Sequence, residues 1–248
     1  MKVNYSEYLR VCSEAVKNEV VFSTFKKRPA YTYVLEHVSE ALGYAYLEEI
    51  KKEFPYLLQH IERFATNDDI GKPKTYYIEE LGMKISPTTL RYVKVLGDLM
   101  NLFGRLDNMD IIEIGGGYGG QYKIIHDIAR PKSYTLVDLS KALGLSKKYL
   151  ERYNINNTEF KTCMDGFKPR YDLCISNYAF TEVSRADQLI YAEHIIKHSD
   201  RGYITCNYLG QRTEEEGLSK DEIFALRDNY KILPEQPLTA VNNLIYTW

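Results

Sequence analysis

Residues Ile111–Tyr122 read IIEIGGGYGGQY. An apolar run of strand character ends in five glycines within the six positions 115–120, and a helical pattern follows to about Ala129. Strand, glycine turn and helix in this order form the ligand-binding loop of an α/β fold. Glycine lets the backbone turn tightly and approach a ligand with no β-carbon in the way. Moving outward, the alternation repeats. Tyr134–Val137 reads as a strand before a helix from Ser140 to about Arg152. Glu159–Cys163 is a third strand, and Asp172–Ser176 a fourth that precedes the loop Asn177–Val183. Ser184 with Asp187 starts a helix through Ile196, Tyr203–Cys206 is a fifth strand, and Ser219 with Glu222 starts a short helix. Strand-like runs at Tyr230–Leu233 and Leu244–Trp248 close the chain. Repeated β-α units with apolar strands predict an α/β fold on a parallel sheet covered on both faces.

The glycines satisfy two spacings. Gly115, Gly117 and Gly120 fit the dinucleotide pattern GxGxxG, whereas Glu113, Gly115, Gly117 and Gly119 fit the acid-x-Gly-x-Gly-x-Gly pattern of S-adenosylmethionine-dependent methyltransferases. Three carboxylates favour the second. Glu113 stands on the strand, where it would oppose a pyrophosphate but suit a ligand carrying an ammonium and a sulfonium. Asp138 ends the next strand, placed to accept hydrogen bonds from two ribose hydroxyls. Asp165-Gly166 follows the third strand, where a carboxylate can meet an adenine amine or simply serve a turn.

Ahead of residue 105 the pattern is helical. Apolar positions from Leu35 to Ile50 keep a period near 3.6, and Phe54, Leu57, Leu58, Ile61 and Phe64 share a second stripe. Ser86 as N-cap, Pro87 at the first position and Gly104 at the end delimit a third helix. Thr66 to Ile85 reads as a long irregular segment, of the kind that forms lids or mobile connections. The expected division is 1–105, a helical N-terminal region, and 106–248, a nucleoside-binding domain.

Composition excludes several classes. With 32 Lys and Arg against 34 Asp and Glu in 248 residues, bulk positive charge for nucleic acid is absent. The polar N-terminus MKVNYSEYLRVCSEAVKN lacks a secretion signal, and no run approaches the roughly 18 apolar residues of a membrane span. A cytoplasmic protein is expected. Cys12, Cys163, Cys174 and Cys206 lack metal or redox spacing, and the last three fall in strand-like runs, so buried thiols are expected. The close on NNLIYTW, without a polar tail, leaves open a domain cut from a longer chain.

From about Pro87 to Trp248 the sequence resembles the class I S-adenosylmethionine-dependent methyltransferases. Within them it is most similar to a sugar O-methyltransferase family of polysaccharide and glycan pathways. The resemblance rests on EIGGGYGGQY at 113–122, LVDL at 136–139, SNYAFTEV at 176–183 and RGYITCN at 201–207. It implies a Rossmann-like, seven-stranded, mostly parallel sheet with the cofactor across the carboxyl ends of its strands, under an N-terminal helical cap. S-adenosyl-L-methionine is the expected cofactor and a glycan or nucleotide-sugar the expected acceptor. The expected cofactor residues are Glu113, Gly115, Gly117, Tyr118, Gly119 and Gln121, then Asp138, Leu139, Asp165, Gly166 and Asn177.

Methyl transfer is an in-line displacement governed by orientation, and a sugar hydroxyl needs a base. Glu182 after the fourth strand is the expected base, its carboxyl raised by Phe180 and Val183 or else paired with Arg185. Tyr178 and His37, the latter on an N-terminal helix, are the further catalytic candidates. Arg91, Tyr92 and Tyr208 are the expected acceptor contacts, and Tyr76, Tyr77 and Tyr178 could stack on a pyranose ring. His194 and His198 have metal-ligand spacing without a third ligand, so no metal is expected. Lys26, Lys27 and Arg28 read as a solvated helix end or a sugar-phosphate contact. Ser176-Asn177-Tyr178-Ala179 lacks the two prolines usual where DNA base amines are methylated. A nicotinamide-dependent oxidoreductase and a non-catalytic nucleoside-binding subunit stand as alternatives.

Overall fold

Ser86 starts the helix Pro87–Phe103 as its sequence predicts: its hydroxyl accepts from the Thr89 amide at 3.1 Å, and Gly104, at φ +79°, ends it. The computed structural model describes residues 5–207, 213 and 215–248. The chain forms two compact units and passes between them several times. The first holds the residues up to Arg105 with Gly117–Ala129 and Leu139–Asn156; the second holds Leu106–Gly116, Arg130–Asp138 and Asn157–Trp248.

In the first unit, helices span Tyr5–Lys17, Glu40–Glu53, Pro87–Phe103, Gly120–Ile128 and Ser140–Arg152. The period read from Leu35 becomes helix only at Glu40, because the Ser39 hydroxyl accepts from the Leu42 amide and fixes the start there. The stripe at 54–64 is interrupted for a similar local reason. Pro55 lacks an amide hydrogen, and a 3-10 segment Pro55–His60 precedes the short helix Ile61–Ala65.

The segment 66–85 is built, not irregular. β1 (Tyr76–Ile78) and β2 (Met83–Ile85) pair antiparallel across Gly82. Asp68 accepts from the Ser86 amide at 2.6 Å and from the Thr89 hydroxyl at 2.7 Å, anchoring the start of Pro87–Phe103.

The abundant tyrosines fill this unit's core: Tyr8, Tyr31, Tyr92, Tyr118, Tyr122 and Tyr149 are all buried. Lys26 is buried among them, correcting its reading as a solvated helix end. Its Nζ donates to the Asn67 carbonyl at 2.5 Å and lies 4.2 Å from the Tyr118 ring centroid. Burial pushes its ammonium down to about 8, with Glu36 and Asp68 opposing that fall.

The second unit holds one seven-stranded sheet. β3 (Asp110–Ile114), β4 (Ser133–Val137), β5 (Thr158–Lys161), β6 (Leu173–Asn177) and β7 (Gly202–Cys206) are parallel, while β9 (Leu244–Thr247) runs antiparallel between β7 and β8 (Lys231–Pro234). The order is β5-β4-β3-β6-β7-β9-β8. This is the α/β, Rossmann-like, mostly parallel sheet that the sequence predicts. β9 begins at Leu244 beside Cys206, so the loop 235–243 lies at the same edge as the carboxyl ends of β6 and β7.

Ile112, Ile114, Cys174, Ile204, Tyr246 and Trp248 contribute to the core of this unit. A β-carbon on Gly202 would meet the Trp248 ring at 2.0 Å, so that contact requires glycine. The third parallel strand ends earlier than expected, at Lys161, and Cys163 sits half-buried in a turn. Cys12, Cys174 and Cys206 are buried, and all four thiols are free. Among the described residues no helix is long and apolar enough to cross a membrane.

Candidate functional site

The carboxyl edge of the sheet gathers polar side chains within the second unit. Glu113, next to last on β3, is 2% exposed, and its Oε2 accepts from the Tyr134 hydroxyl at 2.9 Å. Burial pushes its carboxyl up to about 7, the charge of Asp138 adds to the rise, and the Tyr134 hydrogen bond opposes it. Asp138 follows β4, half-buried, its amide donating to the Lys161 carbonyl at 3.1 Å.

β3 turns at Gly115, with φ +77° and its amide donating to the Val137 carbonyl at 2.7 Å. A β-carbon here would overlap that of Ala179 at 2.0 Å. The glycine therefore admits the short helix Ala179–Glu182 against the turn, a packing reason that spacing alone does not reveal.

Asn177 ends β6. Both atoms of its amide are buried, and neither has a hydrogen-bond partner among the described residues. Buried polar atoms are almost always satisfied, and this amide, at a strand's carboxyl end, leaves both a donor and an acceptor open. Tyr178 comes next at φ +69° and ψ −34°, a strained conformation for an aromatic residue. Its amide donates to the Thr205 carbonyl and its own carbonyl accepts from the Thr181 amide, each at 2.9 Å.

Glu182 is not in the apolar setting expected for it. The carboxylate is exposed, and Oε1 accepts from Asn207 Nδ2 at 2.6 Å. Arg185 pairs instead with Glu222, at 2.9 Å. Asp165 is an exposed turn residue whose Oδ2 accepts from the Thr162 amide at 2.6 Å and hydroxyl at 2.8 Å, which lowers its carboxyl. Gly166 is exposed beside it, its carbonyl accepting from Lys161 Nζ.

The remaining sequence candidates lie in the first unit. Gly117, at φ +57°, has the Leu35 side chain where a β-carbon would project, 2.9 Å away, and Gly119 has Leu150 at 3.1 Å. Tyr118 is wholly buried, its hydroxyl accepting from Asn67 Nδ2 at 3.1 Å. Gln121 is buried too, donating to the Tyr92 carbonyl at 3.1 Å. Both side chains serve the core. Leu139 is exposed. Arg91 and Tyr92 are buried on Pro87–Phe103, with the guanidinium 5.4 Å from the Tyr92 ring. His37 lies in the link 33–39, not on a helix; burial and the Arg91 charge push its imidazole below the ordinary value. Tyr208 falls outside the described residues.

Sequence reasoning missed Glu235, Thr239, Asn243 and Asn207, which lie in or beside the loops at the carboxyl edge. A glutamate two residues past the strand-like run at 230–233, after Pro234, was the available signal for the first. Among the described residues no group of three or more His, Cys, Asp and Glu is arranged to hold a metal ion.

In comparisons with known proteins, no family model and no curated protein matches the sequence. Solved structures do. The chain is similar to an rRNA methylase from Streptococcus thermophilus, with 19% identity over 63% of this chain and 95% of that one, at a TM-score of 0.45. It is similar to magnesium protoporphyrin IX methyltransferase from Synechocystis PCC 6803 with bound SAH, with 14% identity over 64% of this chain and 85% of that one, at 0.46. A third is an S-adenosylmethionine-dependent methyltransferase from Clostridium acetobutylicum ATCC 824, with 9% identity over 62% of this chain and 87% of that one, at 0.47.

Proposed function

We propose that the chain is an S-adenosylmethionine-dependent O-methyltransferase acting on a sugar hydroxyl. The observation that carries the cofactor reading is Glu113: a buried carboxylate beside Asp138, two residues ahead of the glycine turn. A diphosphate would meet repulsion from both acids, whereas an ammonium and a sulfonium gain from them. The orphaned Asn177 amide supplies a donor and an acceptor at the same edge of the sheet. When bound, the cofactor supplies an electrophilic methyl group.

The chain's own residues would hold and orient. Asp138 follows β4 with acceptor capacity for ribose hydroxyls, and Glu113 answers the cationic end. The acceptor hydroxyl needs an oxygen to receive its proton, and Tyr178 and Glu182 stand at the same edge. Sugar as the acceptor rests on the motif resemblance at 113–122 and 176–183.

Calorimetry with S-adenosylhomocysteine and with NAD tests the cofactor. Binding of the first and none of the second is expected; tight NAD binding with no response to S-adenosylhomocysteine overturns the reading. Transfer of label from methyl-labelled S-adenosylmethionine to a saccharide panel tests the acceptor. Cofactor binding with no labelled saccharide would leave a nucleoside-binding protein of another purpose.

A further inference from the structure

Two side-chain amides at the carboxyl edge of the sheet are buried with bonding capacity left over. Asn177 ends β6, and neither its Nδ2 nor its Oδ1 has a partner among the described residues. Asn243, 8% exposed, directly precedes β9. Its Nδ2 donates to the Thr239 hydroxyl oxygen at 2.9 Å, and its Oδ1 has no partner among the described residues. In the sheet only β7 lies between β6 and β9: Asn177 pairs with Thr205, and Leu244 with Cys206. Two strand spacings, roughly 10 Å, therefore separate the two positions.

The loop 235–243 fixes which atom Asn243 presents. Glu235 is buried, and its Oε2 accepts from the Thr239 amide at 2.9 Å. The Thr239 hydroxyl lies 2.8 and 2.9 Å from the two carboxylate oxygens, with Tyr178 Oη farther off at 3.4 Å. An ionised carboxylate only accepts, so the Thr239 hydrogen points to Glu235 and the Thr239 oxygen takes one from Asn243 Nδ2. Oδ1 of Asn243 is the end left open. The Tyr178 hydroxyl also donates to Glu235 and ties the loop to the residue after β6. Little apolar packing holds the outer part of the loop, where Leu238 and Val241 are exposed.

We propose that Asn177 and Asn243 form the subsite that recognises hydroxyls of the methyl acceptor, reached when the loop 235–243 lifts from the sheet edge. The proposal rests on the sugar-hydroxyl reading above. The open atoms set the ligand chemistry. They are two acceptors and one donor, all neutral, and hydroxyls both donate and accept. An anionic group could bond only Asn177 Nδ2, and it gains no ion pair from an amide. Asn177 serves one hydroxyl in both roles or two neighbouring ones, while Asn243 Oδ1 takes a hydrogen from another. An apolar acceptor would leave all three atoms stranded, a cost that a sugar's hydroxyls remove. Because these atoms are buried with the loop in place, the ligand meets them only as the loop moves.

Side-chain amide NMR of the isotope-labelled full chain tests the subsite with D-glucose, D-galactose, D-mannose and L-rhamnose as probes. Calorimetry with S-adenosylhomocysteine and label transfer to the same sugars run alongside. The amide pairs missing from Asn177→Ala and from Asn243→Ala are those of the two asparagines. Both pairs, and the Thr239 backbone amide that reports the loop, are expected to move in one titration with the sugar that takes label. Asn243→Ala should raise the KM for that sugar about tenfold, with most of the loss in KM and not in kcat, and keep S-adenosylhomocysteine affinity within about twofold. If Asn243→Ala fails to fold, Thr239→Val serves: it displaces the Asn243 signal and raises the same KM by a smaller factor, and Thr239→Ser restores both. A labelled sugar that fails to move both pairs, or an unchanged KM in Asn243→Ala, overturns the subsite and leaves methyl transfer standing. Pairs that move with S-adenosylhomocysteine alone belong to the cofactor, which overturns it too. If the chain binds no S-adenosylhomocysteine yet a sugar moves both pairs, the methyltransferase reading falls and the saccharide subsite stands. If no sugar moves either pair, the subsite falls whatever the cofactor result.

Discussion

Tyr134 on β4 donates its hydroxyl hydrogen to Oε2 of Glu113 on the neighbouring β3 at 2.9 Å. The two side chains act against each other's surroundings: burial drives the Glu113 carboxyl toward neutrality, and the Tyr134 bond favours its charge. Glu113 titrates near 7, so a cationic ligand meets a charged partner above that pH and a neutral one below it.

Tyr134→Phe removes that bond and nothing else of the side chain's shape. The Glu113 carboxyl should rise further, leaving a smaller ionised fraction at neutral pH. With a rise of about one unit, affinity for S-adenosylhomocysteine falls about fivefold at pH 7, and the two proteins converge about two pH units higher. Calorimetry at both pH values checks this; equal affinities throughout would mean that the ligand does not sense Glu113.

Glu113 also couples folding to pH. The unfolded carboxyl ionises near 4.5 and the folded one near 7. Between these values the folded chain binds the extra proton, so stability falls as pH rises through the window and levels off above it. This group alone accounts for a decline of about 3 kcal/mol. Glu113→Gln should flatten the decline and leave the variant more stable than the wild type above neutrality. Urea midpoints across the window check it, and parallel declines in both proteins would assign the effect elsewhere.

Some of this was legible along the chain because its causes are local. Ser86, Pro87 and Gly104 delimit one helix by capping, and Gly115 to Gly120 mark the strand-to-helix turn by backbone freedom. Alternating strand and helix runs marked the parallel sheet, while its strand order is set by long-range pairing. What was not legible depends on distant partners. Glu235 bonds Tyr178 across 57 positions, and Asn67 bonds Tyr149 across 82, so neither has a local pattern. The exposed carboxylate of Glu182 and the buried amine of Lys26 reverse what their neighbours in sequence suggest, for the same reason.

Gly117→Val tests packing against ligand contact. At φ +57° a side chain is strained, and its β-carbon would stand 2.9 Å from Leu35 Cδ1. The left-handed backbone costs about 1–2 kcal/mol and overpacking about 1–3 kcal/mol more. Gly117→Val should therefore lower the urea midpoint even without cofactor. Gly117→Ala combined with Leu35→Ala should recover the overpacking part and leave the backbone part. A variant as stable as the wild type that has lost S-adenosylhomocysteine would instead assign Gly117 to the ligand alone.

Asn67 carries the heaviest polar load in the first unit's core. It is wholly buried; Nδ2 donates to the Thr89 hydroxyl at 2.7 Å and to the Tyr118 hydroxyl at 3.1 Å, while Oδ1 accepts from the Tyr149 hydroxyl at 2.6 Å. Its carbonyl, which no substitution removes, holds Lys26 Nζ at 2.5 Å. Asn67→Ala deletes three side-chain bonds and leaves the buried Tyr149 hydroxyl only the residue-67 carbonyl, at 3.4 Å. Because unsatisfied buried groups cost more than the bonds that served them gain, the expected loss is about 3–5 kcal/mol. Tyr149→Phe should cost less alone, since it removes the donor with the demand. Added to Asn67→Ala it should cost less than alone, because the hydroxyl then keeps only its long 3.4 Å contact with the residue-67 carbonyl. Urea unfolding of the two single variants and the double gives that coupling directly, and additive losses would show that Asn67 and Tyr149 do not depend on each other.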